Sequence, residues 1–238
     1  NKWSDHMVLV RSSFAARSIE AACIAANVPY RFIGGMKLLE TAHVKDLMSL
    51  LRLMSNPLDD IAWMRFLTLW NGVGDVGASK LSQQLLLEHD IDGIAKQLEK
   101  FGKVPAEAIL IMKQMSVLKD QVKACVSLAI QAIETQLAEN YKKDWPRRQG
   151  DFELVKQLAS KHDQLAEFLE AYVLDPVSIS EIERQSDTDV VTLITIHSAK
   201  GTEQKVCYVA NVTAGQYPHA RAQGSFDDIE EERRVLYV

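Results

Sequence analysis

Between Thr195 and Glu203 the chain reads Thr-Ile-His-Ser-Ala-Lys-Gly-Thr-Glu, a dense run of polar and charged side chains around one glycine. Thr195 and Ser198 offer hydroxyls, His197 a ring donor, and Gly201 a backbone that can approach a phosphate closely. The residues just before, Val190 to Ile196, are β-branched and apolar throughout, as a central parallel strand requires. The carboxyl end of such a strand is where open α/β sheets bind their ligands. On spacing alone, a strand followed by a plain polar loop fits this segment equally well.

A second cluster is Asn71-Gly72-Val73-Gly74-Asp75-Val76-Gly77-Ala78-Ser79-Lys80-Leu81. Read as Gly-x-Gly-x-x-Gly it is a dinucleotide fingerprint, but no strand precedes it and Trp63 to Trp70 has helical texture, so that reading is rejected. Gly72-Val73-Gly74 followed by Ala78 and Leu81 instead resembles the hairpin of a helix-hairpin-helix. There Gly72 and Gly74 shape a tight turn, and backbone N–H groups at the next helix N-terminus hold a DNA phosphate, with Ser79 and Lys80 adding side-chain contacts. A simple glycine turn between helices is the alternative. Tyr141 to Arg148 interleaves Lys142, Lys143, Arg147 and Arg148 with two aromatics; it reads as a solvated interhelical loop, with a duplex contact as the second possibility.

Other chemistries lack their residues. The one Gly-Lys dipeptide, Gly102-Lys103, is followed by Val104, so no Walker A loop is present. No HExxH, CxxC or Gly-x-Ser-x-Gly occurs and the histidines are dispersed, so neither a metal site nor a nucleophilic triad is expected.

The elements that must carry these clusters follow from the apolar spacing. Met7 to Val10 is a short apolar run suited to a buried strand, and Ala15 to Ala26 has helical spacing closed by Pro29. Gly34-Gly35 marks a sharp break. From there to about residue 175 the patterns are helical: Leu47, Leu50, Leu51 and Met54, then Ala62, Phe66 and Leu69. A long stripe from Ala106 to Asn140 predicts one helix, or two broken near Ser116, and another helix runs from Phe152 to Tyr172, ended by Asp175-Pro176. Val206 to Ala210 is a second apolar strand run like that at Val190. Asp227, Asp228, Glu230, Glu231 and Glu232 suit an exposed helix N-terminus. The order predicts an α/β domain with a parallel sheet, interrupted by a large all-helical insertion: residues 1–35, then the insertion 36–186, then 187–238.

At 238 residues, 47% hydrophobic and 25% charged, the chain has the composition of a globular protein, which excludes disorder as its overall state. The net charge of -5 supplies no global basic field, so nucleic acid must be met by local patches. Three dispersed cysteines and the absence of a long apolar run give the expectation of a soluble cytoplasmic protein. The closing residues, Arg233 to Val238, carry no cap or breaker and read as an element in progress.

Thr195, His197, Ala199, Lys200, Gly201 and Glu203, spanning Ser198, resemble motif V of the superfamily-one DNA helicases of the UvrD, Rep and PcrA group, whose pattern is Thr-x-His-x-Ala-Lys-Gly-Leu-Glu-Phe. Thr202 stands where that pattern has Leu, and Gln204 where it has Phe. Glu231, Glu232, Arg233, Arg234 and Tyr237 resemble the opening of motif VI, and Tyr217-Pro218 falls where the family often carries Phe-Pro. Val10-Arg11-Ser12-Ser13 and Pro29 to Met36 are similar to the strands entering and leaving for the accessory domain, with Glu40, Lys45 and Asp46 in keeping. Ser13 replaces the common Asn.

The resemblance implies a partial RecA-like motor domain carrying a helical accessory insertion. It implies that Arg11, Thr195 and His197 meet single-stranded DNA and that Glu203 reaches the ATP ribose beside Gly201, while the helix-hairpin-helix likeness is what gives Gly72, Val73, Gly74, Ser79 and Lys80 to duplex DNA. For Arg11 a surface salt bridge is the competing role. The full-length enzyme would use ATP and Mg2+ with an amino-terminal motor domain outside this chain, and move 3′ to 5′ on DNA. The family's arginine finger lies just past Tyr237-Val238, so the chain by itself is expected to bind no nucleotide productively and to be inactive. A nuclease–helicase of recombination repair and a non-enzymatic DNA-binding module remain as alternatives.

Overall fold

Strands β1 (His6–Val10), β2 (Tyr30–Ile33), β3 (Val191–Thr195) and β4 (Val206–Val209) form one sheet in the order β2-β3-β1-β4, with every pairing parallel. The computed structural model describes residues 2–88, 90–118, 120–174, 189–213, 217, 222 and 224–237; the Asp175-Pro176 break, Pro218 and Val238 lie outside them. The chain divides into two compact units, Asn1–Leu38 with Pro176–Val238, and Leu39–Asp175.

In the first unit β3 is buried at every residue, which is why its sequence is apolar without alternation. Val10 pairs with Thr195 and Ile33 with Ile194, so the carboxyl ends of β1, β2 and β3 reach one edge together. Helix α1 (Ser13–Ala25) starts at that edge, where the Ser12 hydroxyl accepts from Ala15 N–H at 3.3 Å. Its Ala15 and Ala16 join Val10, Tyr30, Phe32 and Leu193 in one core, while Met7, Ile194 and Ala199 pack on the other face. β4 departs from its sequence expectation. It is an edge strand with Cys207, Tyr208 and Val209 exposed, a property that a uniformly apolar run does not reveal. On the inner face of α1, fully buried Glu20 accepts from Arg17 at 2.7 Å and from the Tyr30 hydroxyl and Leu38 N–H at 3.3 Å each. Burial pushes the Glu20 carboxyl up, and Arg17 opposes that shift.

The second unit is helical: α2 (Ala42–Ser55), α3 (Asp60–Thr68), α4 (Asp75–Leu85), α5 (Ile91–Phe101), α6 (Ala106–Ser116), α7 (Val122–Tyr141), α8 (Trp145–Ala159) and α9 (Leu165–Leu169). The caps follow the sequence. Asp59 accepts from Ala62 N–H at 3.0 Å, Asp90 from Gly93 N–H at 2.7 Å, and Gly102 ends α5 in the left-handed region at φ 67°. Trp63, Phe66, Phe152 and Phe168 are fully buried, each worth about 1.5–3 kcal/mol of apolar transfer. The long stripe from Ala106 is two helices, broken after Ser116.

Two expectations in this unit are corrected. The helix drawn from Phe152 to Tyr172 is interrupted between Ala159 and Leu165, where the N–H groups of Lys161 and His162 close short turns instead. The basic stretch after Tyr141 is a solvated loop only in part: Lys142–Asp144 form an exposed 3-10 turn between α7 and α8, and the remainder is helix. Trp145 begins α8 with Pro146 in its first turn, Trp145 is buried, and the Arg148 guanidinium lies 4.0 Å over the Tyr141 ring. Arg148 Nη1 also lies 3.1 Å from His43 Nδ1, and His43 Nε2 lies 3.0 Å from the Asp151 carboxylate. A guanidinium only donates, so His43 accepts at Nδ1 and carries its proton at Nε2, which donates to Asp151.

Candidate nucleotide and nucleic-acid interface

At the carboxyl end of β3 the chain turns through a single 3-10 turn, Ile196–Ser198, before Gly201 bends it back at φ 80°. Thr195 is buried and its hydroxyl donates to Ser198 Oγ at 3.0 Å. His197, Ser198, Lys200 and Glu203 are exposed, and His197, Lys200 and Glu203 have no hydrogen-bond or ion-pair partner among the described residues. Thr202 closes the turn by donating its hydroxyl to the Ala199 carbonyl at 2.7 Å, a bond that a leucine there would lack. The loop therefore presents an imidazole and a hydroxyl at its start and a carboxylate past its glycine, each open to a ligand.

The glycine pair after β2 belongs to this edge. Gly34 is left-handed at φ 81°, and a Cβ on it would lie 2.5 Å from Thr195 Oγ1 and 2.9 Å from Ser198 Cβ. Gly35 is equally confined by Phe32, at 2.5 Å, and by the Ser13 hydroxyl. The break seen in the sequence is thus a close backbone approach to the hydroxyl cluster, with the Ser13 hydroxyl of α1 beside Gly35.

Arg11 follows β1 directly, one residue past the Val10–Thr195 pair in the register. It is in an ion pair, but a partly buried one. Nε donates to Glu232 Oε2 at 2.9 Å and Nη2 to Oε1, leaving the two side chains 19% and 9% exposed. This fork holds Arg11 more firmly protonated than usual. Glu232 sits on α10 (Phe226–Leu236), capped by Ser225, whose hydroxyl accepts from Asp228 N–H at 3.1 Å; Asp227 and Asp228 occupy its first turn. Glu230 pairs with Arg233 at 2.8 Å and Glu231 with Arg234 at 3.3 Å along the exposed side, and Tyr237 is exposed. Within the acidic run, Glu232 faces inward, and α10 packs against the Ile196–Ser198 turn. Burial raises the Tyr217 hydroxyl pKa, and Arg11 opposes that shift.

In the helical unit, residues 69–74 make the turn between α3 and α4, and Ser79 and Lys80 lie within α4. Val73 N–H donates to the Trp70 carbonyl at 3.2 Å and Val73 is buried, while Gly72 takes φ 77°. Gly74 differs from expectation. It is extended at φ -94°, and a Cβ on it would meet nothing within 4 Å, so the left-handed glycine of the turn is Gly72. No side chain caps α4, which leaves its first N–H groups open, although Asp75 in the first turn takes up part of that positive field. Ser79 is half-buried and Lys80 exposed on the second turn. Lys103, which the sequence marked only by the lack of a phosphate loop, brings its ammonium to 3.8 Å from where a Gly72 side chain would begin.

Among the described residues no three His, Cys, Asp or Glu side chains gather as a metal site, and no helix is long and apolar enough to cross a membrane.

Comparison with known proteins gives this arrangement a family. A family model described as the UvrD-like helicase C-terminal domain matches residues 1–107 and 90–238. The ATP-dependent DNA helicase PcrA of Staphylococcus epidermidis is 28% identical over 263 residues, covering 100% of this chain and 35% of its own length. The same-named proteins of Staphylococcus aureus and Bacillus subtilis strain 168 are each 27% identical, with the same coverage. The chain therefore spans 35% of the length of these relatives, and by the match along its whole length it belongs to the UvrD-like helicase C-terminal domain family.

Proposed function

We propose that this chain is the carboxyl-terminal part of an ATP-dependent DNA helicase that moves 3′ to 5′ along single-stranded DNA. Its first unit is then a portion of a RecA-like motor domain, and Leu39–Asp175 is the accessory insertion. The observation that carries the reading is the Thr195–Glu203 loop, which exposes His197 and Glu203 on either side of left-handed Gly201. One loop touching both ligands can couple nucleotide state to grip on the strand. Thr195, His197 and Arg11 are assigned to single-stranded DNA, Glu203 to a ribose hydroxyl of ATP, and the backbone at Gly201 to a close approach of that nucleotide.

ATP and its Mg2+ supply the phosphoryl chemistry. The Walker residues, the magnesium-binding acids and the arginine finger are assigned to parts of the enzyme outside this chain. Exposed Glu203 suits a ribose hydroxyl because an ionised carboxylate is an acceptor with no competing partner among the described residues. The Gly72 hairpin is assigned to duplex phosphates through the open α4 N–H groups, Ser79 and Lys80, with Lys103 as an added cation. Such contacts carry no sequence information, as a motor on arbitrary DNA requires.

The test uses the full-length product of the gene that encodes this chain. Single-stranded DNA should stimulate its ATP hydrolysis, and it should unwind a duplex with a 3′ tail but not one with a 5′ tail. The isolated chain should hydrolyse no ATP. Equal unwinding from both tails, or hydrolysis by the isolated chain free of contaminants, overturns the reading.

A further inference from the structure

Glu232 uses both carboxylate oxygens on one edge of Arg11, the edge formed by Nε and Nη2. The guanidinium has five N–H donors in a rigid plane. Nη1, on the opposite edge, makes no hydrogen bond among the described residues. Arg11 thus has one satisfied edge and one open edge just past the carboxyl end of β1, one residue beyond the Val10–Thr195 pair.

We propose that Glu232 is a positioning residue for single-stranded DNA, gripping the Nε/Nη2 edge of Arg11 so that the Nη1 edge meets a phosphate. The proposal rests on the assignment of Arg11 to the strand made above. Glu232 is not a decoy that DNA displaces. Its side chain is 9% exposed, and parting a buried carboxylate from its guanidinium is strongly unfavourable. Its neighbours Glu230 and Glu231 spend their charge on Arg233 and Arg234 along the helix surface, whereas Glu232 alone of the three reaches back to β1. Because α10 also packs on the Ile196–Ser198 turn, one helix braces both Arg11 and the loop that carries His197.

The experiment measures binding of a labelled oligothymidylate to the full-length protein by anisotropy, with melting temperatures for every variant. Glu232→Gln keeps the shape and one acceptor but loses the second, and should weaken strand binding about tenfold, the worth of one charge-assisted hydrogen bond. Arg11→Lys keeps the charge and loses the fork, and should weaken binding by a similar factor. In an Arg11→Ala background, Glu232→Gln should add nothing. A helix-docking role alone would lower the melting temperature of Glu232→Gln in both backgrounds and leave strand affinity intact, which overturns the proposal. Tighter binding by Glu232→Gln makes the carboxylate a competitor and also overturns it. Wild-type affinity in Arg11→Lys means that charge suffices without orientation, which overturns it as well. If Arg11→Ala itself leaves strand affinity unchanged, the assignment of Arg11 falls and this inference with it. A loss in Arg11→Ala without one in Glu232→Gln overturns the positioning role alone.

Discussion

Gly34 stands against Ser198, so close that a Cβ on the glycine would lie 2.9 Å from the serine Cβ and 2.5 Å from Thr195 Oγ1, at a φ of 81°. Two elements far apart in sequence are therefore fitted to each other with no room for a methyl group. Gly34→Ala should cost about 1–2 kcal/mol from the left-handed backbone alone. The clash adds to that and separates the Thr195 and Ser198 hydroxyls, which now bond at 3.0 Å. Strand affinity should fall along with stability. A control at Gly224, where a Cβ meets nothing within 4 Å, should be silent. Wild-type stability in Gly34→Ala, measured by urea unfolding, would contradict the close fit.

His197 and Glu203 lie on opposite sides of Gly201, and both are exposed. In the full-length enzyme, Glu203→Ala should raise KM for ATP and leave the dissociation constant for single-stranded DNA near wild type. His197→Ala should do the reverse. Losing one hydrogen bond to a charged group is worth about 1.5–3 kcal/mol, or roughly tenfold or more in the affected constant. Steady-state hydrolysis and anisotropy titrations of the same preparations decide it. Equal effects of both variants on DNA, with ATP kinetics untouched, would end the two-sided assignment.

Much of this was legible in the sequence because the rules involved are local. The run of β-branched and apolar residues from Val190 to Ile196 points to a strand buried on both faces, and the apolar spacing from Ala106 marks a helical stripe with its break near Ser116. What failed to show depends on partners distant along the chain. Nothing within the acidic run of α10 singles out Glu232, whose partner is Arg11 at the other end of the unit. Lys103 could be connected to the Gly72 turn only after the helices between them were placed. Gly72 and Gly74 are equal candidates for the left-handed residue by type, and only the backbone separates them.

The His43 cluster was equally hidden, since His43, Arg148 and Asp151 are spread from α2 to α8 and Arg148 read as part of a solvated loop. His43 is 1% exposed and bridges Arg148 and Asp151. His43→Ala should destabilise the protein by about 3 kcal/mol, the scale of removing one partner from a buried pair. Asp151→Asn should cost less, because an amide oxygen still accepts from Nε2–H. Denaturant midpoints at constant m-value test the order. Nitrogen NMR of the imidazole tests the tautomer, and a proton found on Nδ1 in the neutral ring would contradict the donor from Arg148.

The hairpin offers the sharpest contrast between neighbouring glycines. Gly72 needs φ 77°, where a β-branched side chain is costly, so Gly72→Val should destabilise the turn by about 1–2 kcal/mol. Gly74 is extended with open space around it, so Gly74→Ala should leave stability within about 0.5 kcal/mol of wild type. If the turn holds duplex phosphates, Gly72→Val should weaken binding to a hairpin-tailed duplex while affinity for a bare single strand persists. Its dependence on salt should become shallower by roughly one unit for each phosphate that the turn no longer holds. Lys103→Ala should make the salt dependence shallower by about one unit without disturbing the fold, because it removes a cation and leaves the backbone alone. Titrations of both substrates at two salt concentrations, on variants shown to be folded, carry the comparison. Unchanged duplex affinity in both Gly72→Val and Lys103→Ala would leave the hairpin as a plain turn between α3 and α4.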